Sequence, residues 1–270
     1  MALLTINFYS KVLMREVAVT AILPEKQHGV GIGNSPADEK RVNAAVWDGD
    51  TPLKTLYLLH GWSDNQTIWS RRTSVERYVA GKQLAVIMPS VENSFYTNEC
   101  NGYDYWTFIS EELPESMGSF FKLSSKREDT YAAGLSMGGY GALKLGLRKP
   151  ERFSKVASLS GVLDLSAMFR RKSPDEYSFL RRVFGDDKHP QARPEDDILF
   201  LAQQTAERED KPEIYLACGT ADELYSDYLS GISLFSSLGY HVNYRAGEGE
   251  DHRWSYWDQA IQDVLNWLPV

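Results

Sequence analysis

The stretch TYAAGLSMGGYGALKLGLRKP, residues 130–150, decides the reading of the chain. Its first half is an apolar run that ends in glycine. Its second half has helical spacing and stops at Pro150. Between them stands Ser136, flanked by Gly134, Gly138 and Gly139. Glycine in an element interior costs backbone entropy, so such a cluster marks a backbone that bends sharply or packs closely. The order strand, G-x-S-x-G, helix is the context in which that pattern has chemical meaning. There the serine sits on a strained strand-to-helix turn, with its hydroxyl raised above the sheet edge and the helix N-terminus beneath it. The plainer account makes the glycines a turn and the serine a helix N-cap.

Similar apolar runs recur on both sides. Residues 53–61 (LKTLYLLHG), 84–89 (LAVIMP), 155–161 (KVASLSG) and 213–219 (EIYLACG) read as strands buried on both faces of a parallel sheet. Residues 4–10 and 16–23 read as strands that open the sheet, and 241–247 (HVNYRAG) as an edge strand. Helical segments alternate with them, at 139–153, 227–239 and 256–268. In the first, Ala142, Leu143 and Leu145 are expected inside and Lys144 and Arg148 outside. In the second, Gly239 is expected as a C-cap. This alternation predicts an α/β fold, a mostly parallel central sheet flanked by helices. The 270 residues fit one such domain. Residues 162–211 are charged, carry Pro174, Pro190 and Pro194 and show no strand, so they read as an insertion over one edge of the sheet.

Composition narrows the classes of partner. Apolar residues at 43 % and charged ones at 24 % make an ordinary globular balance, and the net charge is −8. The densest basic run is FRRK at 169–172, too little for a phosphate backbone, so no nucleic-acid partner is expected. No run approaches the roughly 20 apolar residues of a membrane span, and the first twenty residues lack signal-peptide features. A cytoplasmic location without a membrane partner is the expectation. Two cysteines make no disulfide framework; Cys218 reads as a buried thiol. No zinc-type spacing appears, and neither a metal nor a cofactor is expected.

A serine nucleophile needs a base, and the base an orienting acid. There are five histidines. His28 falls in an N-terminal loop, His189 in the insertion, and His241 starts a strand. His60 ends the 53–61 run and reads as structural. His252 follows the last strand, on the edge where ligands of such sheets bind, and is the candidate base. Asp222, just past the 213–219 run, is the candidate acid; Asp164 and, less well placed, Asp227 are its rivals. Glu248, Glu250 and Asp251 are explained by solvation. The order Ser136, Asp222, His252 is that of the α/β-hydrolases. The oxyanion donors expected are the amides of Met137, after the serine, and Trp62, after HG at 60–61. Trp62, Trp69, Tyr103, Tyr105, Trp106, Trp254 and Trp257 cluster in loops at this edge; some are expected to wall an acyl pocket, and Trp257 to be core.

The segments YLLHGWSDNQTIW (57–69), NGYDYWTFISEELPESM (101–117), 134–161 and EDHRWSYW (250–257) together resemble the esterase D family of α/β-hydrolases. Within it they are most similar to bacterial tributyrin esterases of the EstA type and to feruloyl and acetyl-xylan esterases. The resemblance implies an α/β-hydrolase fold and a serine carboxylesterase acting on short acyl esters as small-molecule substrates. It implies Ser136 as nucleophile, Asp222 as acid, His252 as base, the amides of Trp62 and Met137 as oxyanion hole, and a dimer or larger homo-oligomer. S-formylglutathione hydrolases and mycolyltransferases share the wider family, so acyl transfer to an alcohol is a second expectation. A non-catalytic hydrolase-fold binding protein is the third. The tryptophan after HG departs from the smaller or aliphatic residues common there, which reshapes the pocket and leaves a backbone donor intact.

Overall fold

A computed structural model describes residues 1–25, 47–171, 180–185 and 193–270. His28, His189, Pro174 and Pro190, singled out in the sequence, lie outside the described residues. Among the described residues eight strands form one sheet: β1 (Ala2–Ser10), β2 (Arg15–Leu23), β3 (Lys54–Leu59), β4 (Leu84–Pro89), β5 (Thr130–Leu135), β6 (Lys155–Leu159), β7 (Glu213–Gly219) and β8 (Val242–Gly247). Their spatial order is β1-β2-β4-β3-β5-β6-β7-β8. The β1–β2 and β2–β4 pairs are antiparallel, and the rest are parallel. The strands thus fall where the apolar runs predict, with β8 at an edge. The run VNYRAG alternates because one of its faces meets water.

Helices cover both faces. They include α1 (Ile68–Arg72), α2 (Leu113–Phe120), α3 (Met137–Arg148), α4 (Leu165–Arg171), α5 (Ile198–Thr205), α6 (Tyr225–Ser237) and α7 (Trp254–Trp267). Leu113, Leu143, Leu147, Leu201 and Phe235 belong to the core on one face. Trp69, Ile261, Val264 and Leu265 belong to the core on the other. Gly239, just past α6, has φ +72, the left-handed conformation that ends helices. Of the 162–211 excursion, the described part contains α4, a short helix at Arg181–Phe184, a 3₁₀ turn at Pro194–Asp196, and α5.

One expectation fails. Lys144 is not on an outer face of α3: it is 0 % exposed. Helix α3 is buried along nearly its whole length, because α5 covers the side that periodicity assigns to water. Arg148, one turn on, is half-buried, its guanidinium 4.2 Å from the Trp106 ring centre.

The chain leaves β3 toward β4 on one side and returns to β5 on the other, so the strand order reverses between β3 and β5. Ligand crevices of open α/β sheets form at such a reversal, beyond the strand C-termini. Leu59 pairs with Gly134 across it, which sets His60–Trp62 beside Ser136–Met137. The close approach requires glycine. A Cβ on Gly138 would lie 2.5 Å from the Leu59 carbonyl oxygen, and one on Gly134 would lie 2.4 Å from the Gly138 backbone.

Candidate active site

Ser136 occupies the turn from β5 to α3 with φ +51 and ψ −120. A non-glycine residue there is strained, and the strain persists only where the surroundings impose it. Here the Ser136 amide donates to the Leu159 carbonyl on β6 at 2.8 Å, and the flanking glycines fix helix against strand. Its side chain makes no capping bond, so the N-cap account does not hold. The hydroxyl instead faces His252, with Nε2 3.0 Å from Oγ. The His252 Nδ1 lies 2.8 Å from Asp222 Oδ2.

The loops after β7 and β8 are stitched together, which explains why residues 30 apart in sequence meet. The Ala221 amide donates to the Glu250 carbonyl at 2.9 Å, and that of Thr220 to Gly247 at 2.8 Å. Gly219 allows this approach, since a Cβ there would fall 2.1 Å from the Glu250 oxygen. Asp222 and His252 each follow the stitch directly. The Asp222 side chain is 0 % exposed and that of His252 29 %. Burial drives the Asp222 carboxyl pKa upward, but hydrogen bonds from His252, the Leu224 amide and Ser160 outweigh it and hold the group below its usual range. A buried carboxylate held ionised fixes the imidazole proton on Nδ1 and leaves the Nε2 lone pair toward Ser136.

The rivals of Asp222 are occupied elsewhere. Asp164 Oδ1 accepts from the Ala167 amide at 2.7 Å in the first turn of α4. Asp227 forms a two-pronged ion pair with Arg171. Cys218 is buried as expected, and burial pushes its thiol up to about 12.

A cleft of about 530 Å³ opens at Ser136, lined by Trp62, Phe95, Val162, Met168, Leu180 and Leu224 together with Met137, Asn93, Glu223 and His252. Of the seven aromatics from which some were expected to wall the pocket, Trp62 lines it and the other six do not. Trp69 and Tyr105 are buried in the core, and Trp106 packs over Arg148. Trp254 bridges Trp69 and Trp257 edge-to-face. Trp257 is more than core. Its ring stands 4.9 Å from His252 at 88°, and its indole N–H donates to Ser160 at 3.1 Å. Ser160 and Phe95 escaped sequence reading, although Ser160 directly follows β6 and Phe95 lies in the loop that leaves the C-terminal end of β4, the edge that signals a site contribution.

His60 is buried behind the serine. Burial pushes its pKa down from 6.5 to about 4. Between those values the unfolded chain binds a proton that the folded chain refuses, so stability is lost as pH falls from about 6.5 toward 4. The expected loss is roughly 3 kcal/mol. Urea unfolding from pH 7 to 4.5 measures it. A His60→Gln variant lacks this share of the slope, and a constant wild-type-to-variant difference across that range would contradict the assignment.

The Esterase family model matches residues 35–268. The chain belongs to the Esterase family. It is similar to an acetyl esterase of Caldicellulosiruptor saccharolyticus, 33 % identical over 99 % of this chain and 98 % of that one. Among solved structures it resembles FphF, a fluorophosphonate-binding serine hydrolase of Staphylococcus aureus, with a TM-score of 0.83 and 34 % identity over 99 % of this chain and 98 % of that one. An S-formylglutathione hydrolase (FrmB) of Staphylococcus aureus superposes with a TM-score of 0.77 at 33 % identity, again over 99 % and 98 % of the two chains. The fold is that of the α/β-hydrolases, and the protein is a serine ester hydrolase. Among its described residues no helix is long and apolar enough to cross a membrane.

Proposed function

We propose that Ser136, His252 and Asp222 carry the ester hydrolysis and that the substrates are short-chain acyl esters. The unbroken run of polar contacts from Asp222 through His252 to Ser136, opening into an apolar cleft, is the observation that carries this reading. Ser136 Oγ attacks the ester carbonyl carbon as its proton passes to His252 Nε2. The carbonyl oxygen becomes an oxyanion received by the amides of Met137 and Trp62. Met137 opens α3, whose first N–H groups have no partner within the helix. Each donor contributes roughly 3–4 kcal/mol to the barrier. Collapse expels the alkoxide, which takes the proton from His252. Water then gives a proton to His252 Nε2 and attacks the acyl carbon; the acyl–Oγ bond breaks, Ser136 Oγ takes the proton back from His252, and the acid leaves. Asp222 stabilises the imidazolium at both stages.

Two features support short acyl groups: the 33 % identical relative is named an acetyl esterase, and the paired rings of Trp62 and Phe95, 5.5 Å apart, are part of the wall of the cleft that opens at Ser136. The experiment is kcat/KM across p-nitrophenyl esters from acetate to decanoate, with ethyl ferulate and S-formylglutathione included. The reading expects a maximum at two to four acyl carbons and a fall of about tenfold or more by decanoate. A maximum at eight carbons or beyond, or a clear preference for the feruloyl or formyl substrate, would overturn it. A competing alcohol in the same assay tests acyl transfer; water is expected to take nearly all the acyl group. The proposal places the enzyme in the cytoplasm as a homo-oligomer, which fractionation of the source cells and sedimentation test.

A further inference from the structure

A second polar network lies under the cleft, outside the proposed triad. Lys144 Nζ donates to Asp196 Oδ1 at 2.5 Å, to Thr97 Oγ1 at 2.7 Å and to the Tyr96 carbonyl at 3.1 Å. Asp196 also accepts from Arg193 Nε at 2.6 Å, and its carbonyl accepts from the Tyr140 hydroxyl at 2.7 Å. Burying such a pair gains little stability over apolar residues of the same shape. Its placement suggests another use.

The network continues toward Ser136. The Tyr96 hydroxyl donates to the His60 carbonyl at 2.9 Å. The Val91 amide lies 3.1 Å from His60 Nε2, and an amide only donates, so Nε2 accepts. The ring proton is therefore on Nδ1, which donates to the Gly61 carbonyl at 2.8 Å. That carbonyl and the Trp62 N–H belong to one planar peptide unit and point in opposite directions. Holding the oxygen from behind aims the N–H from the front.

The backbone shows that this path is imposed. Phe95 and Tyr96 are consecutive non-glycine residues at φ +52 and +51. Lys144 grips the Tyr96 carbonyl directly. Helix α3 makes room for the Tyr96 ring at Gly141, where a Cβ would lie 2.5 Å from ring atom Cδ2.

We infer that Tyr96 and Lys144 are positioning residues: through His60 they hold the Gly61–Trp62 peptide with its N–H toward the oxyanion, anchored at Asp196 in the 162–211 excursion. The inference rests on the reading of Trp62 as an oxyanion donor. It assigns Asp196 a part in the reaction although Asp196 does not line the cleft.

The test is Tyr96→Phe, which removes one oxygen and keeps the ring. A fall in kcat of about 10- to 100-fold is expected, with KM within about threefold. Affinity for a trifluoromethyl ketone, which forms a tetrahedral adduct with an oxyanion, is expected to fall by a similar factor. Affinity for the matching trifluoroalkane, with CH₂ in place of the carbonyl, is expected to stay constant. The double variant Lys144→Met, Asp196→Leu removes both charges together; it is expected to give the same split, with little added loss in combination with Tyr96→Phe. If Tyr96→Phe keeps kcat and ketone affinity within about twofold of wild type, the inference is wrong. It is equally wrong if kcat falls while ketone affinity does not. A wild-type enzyme that binds the ketone no better than the trifluoroalkane would remove the oxyanion assignment itself, and the inference with it.

Discussion

Ser136→Ala is expected to lower kcat for p-nitrophenyl acetate by roughly 10⁴- to 10⁶-fold, with the fold intact. The hydroxyl lies 3.0 Å from His252 Nε2, and removing it leaves the base with nothing to activate except water. Residual turnover comes from binding and from the oxyanion donors, which remain. Alanine tolerates φ +51 no worse than serine, so the substitution adds no backbone strain. Thermal unfolding within a few degrees of wild type and loss of the covalent label from a fluorophosphonate complete the expected pattern. Turnover within about tenfold of wild type would remove Ser136 from the mechanism.

Asp222→Asn is expected to cost about 10⁴ in kcat, through the proton it misplaces. Asp222 Oδ1 accepts from the Leu224 amide at 3.0 Å, and Oδ2 faces His252 Nδ1. An asparagine keeps its oxygen on Leu224, where only an acceptor fits, and turns its NH₂ toward His252. Nδ1 must then accept, the ring proton moves to Nε2, and Nε2 no longer takes the proton of Ser136. The size of the side chain scarcely changes, so the fold is expected to persist; because Asp222 is held ionised below its usual range, some stability is expected to be lost at pH 7, a loss that shrinks as the pH falls and the wild-type carboxyl protonates. A loss below about tenfold would show that Asp222 does not orient the imidazole. The sharper check is kcat against pH: the asparagine variant is expected to stay depressed across the range, since no pH restores the tautomer.

The sheet was legible because its central strands are buried on both faces, and a segment with no wet face reads as an uninterrupted apolar run. The runs at 84–89 and 213–219 coincide with β4 and β7. The candidate site was proposed from the sequence for a related reason. A serine that must stand on a strained turn needs glycines around it, and strand C-termini gather at one edge of a parallel sheet. Lys144 was not legible. Helical periodicity places a lysine between Leu143 and Leu145 in water, and what buries it, Asp196 together with Thr97 and the Tyr96 carbonyl, lies about 50 residues away in either direction. The four glycines of α3, at 138, 139, 141 and 146, were the available hint that this helix is enclosed. The aromatic loops misled because a position near the site edge does not set a side chain's direction. Trp69 turns its indole N–H onto the Leu59 carbonyl behind the cleft, while Phe95, in a polar-looking stretch, fills the cleft wall.

The central claim is that Ser136 forms the acyl-enzyme with His252 as its base. Peptide mapping of the protein after brief exposure to a fluorophosphonate tests it most directly, with the His252→Ala variant treated in parallel. The account predicts one adduct in the wild-type protein, on Ser136, and labelling at least about a hundredfold slower in the variant. An adduct on any other residue, or equal labelling rates in the two proteins, would contradict it.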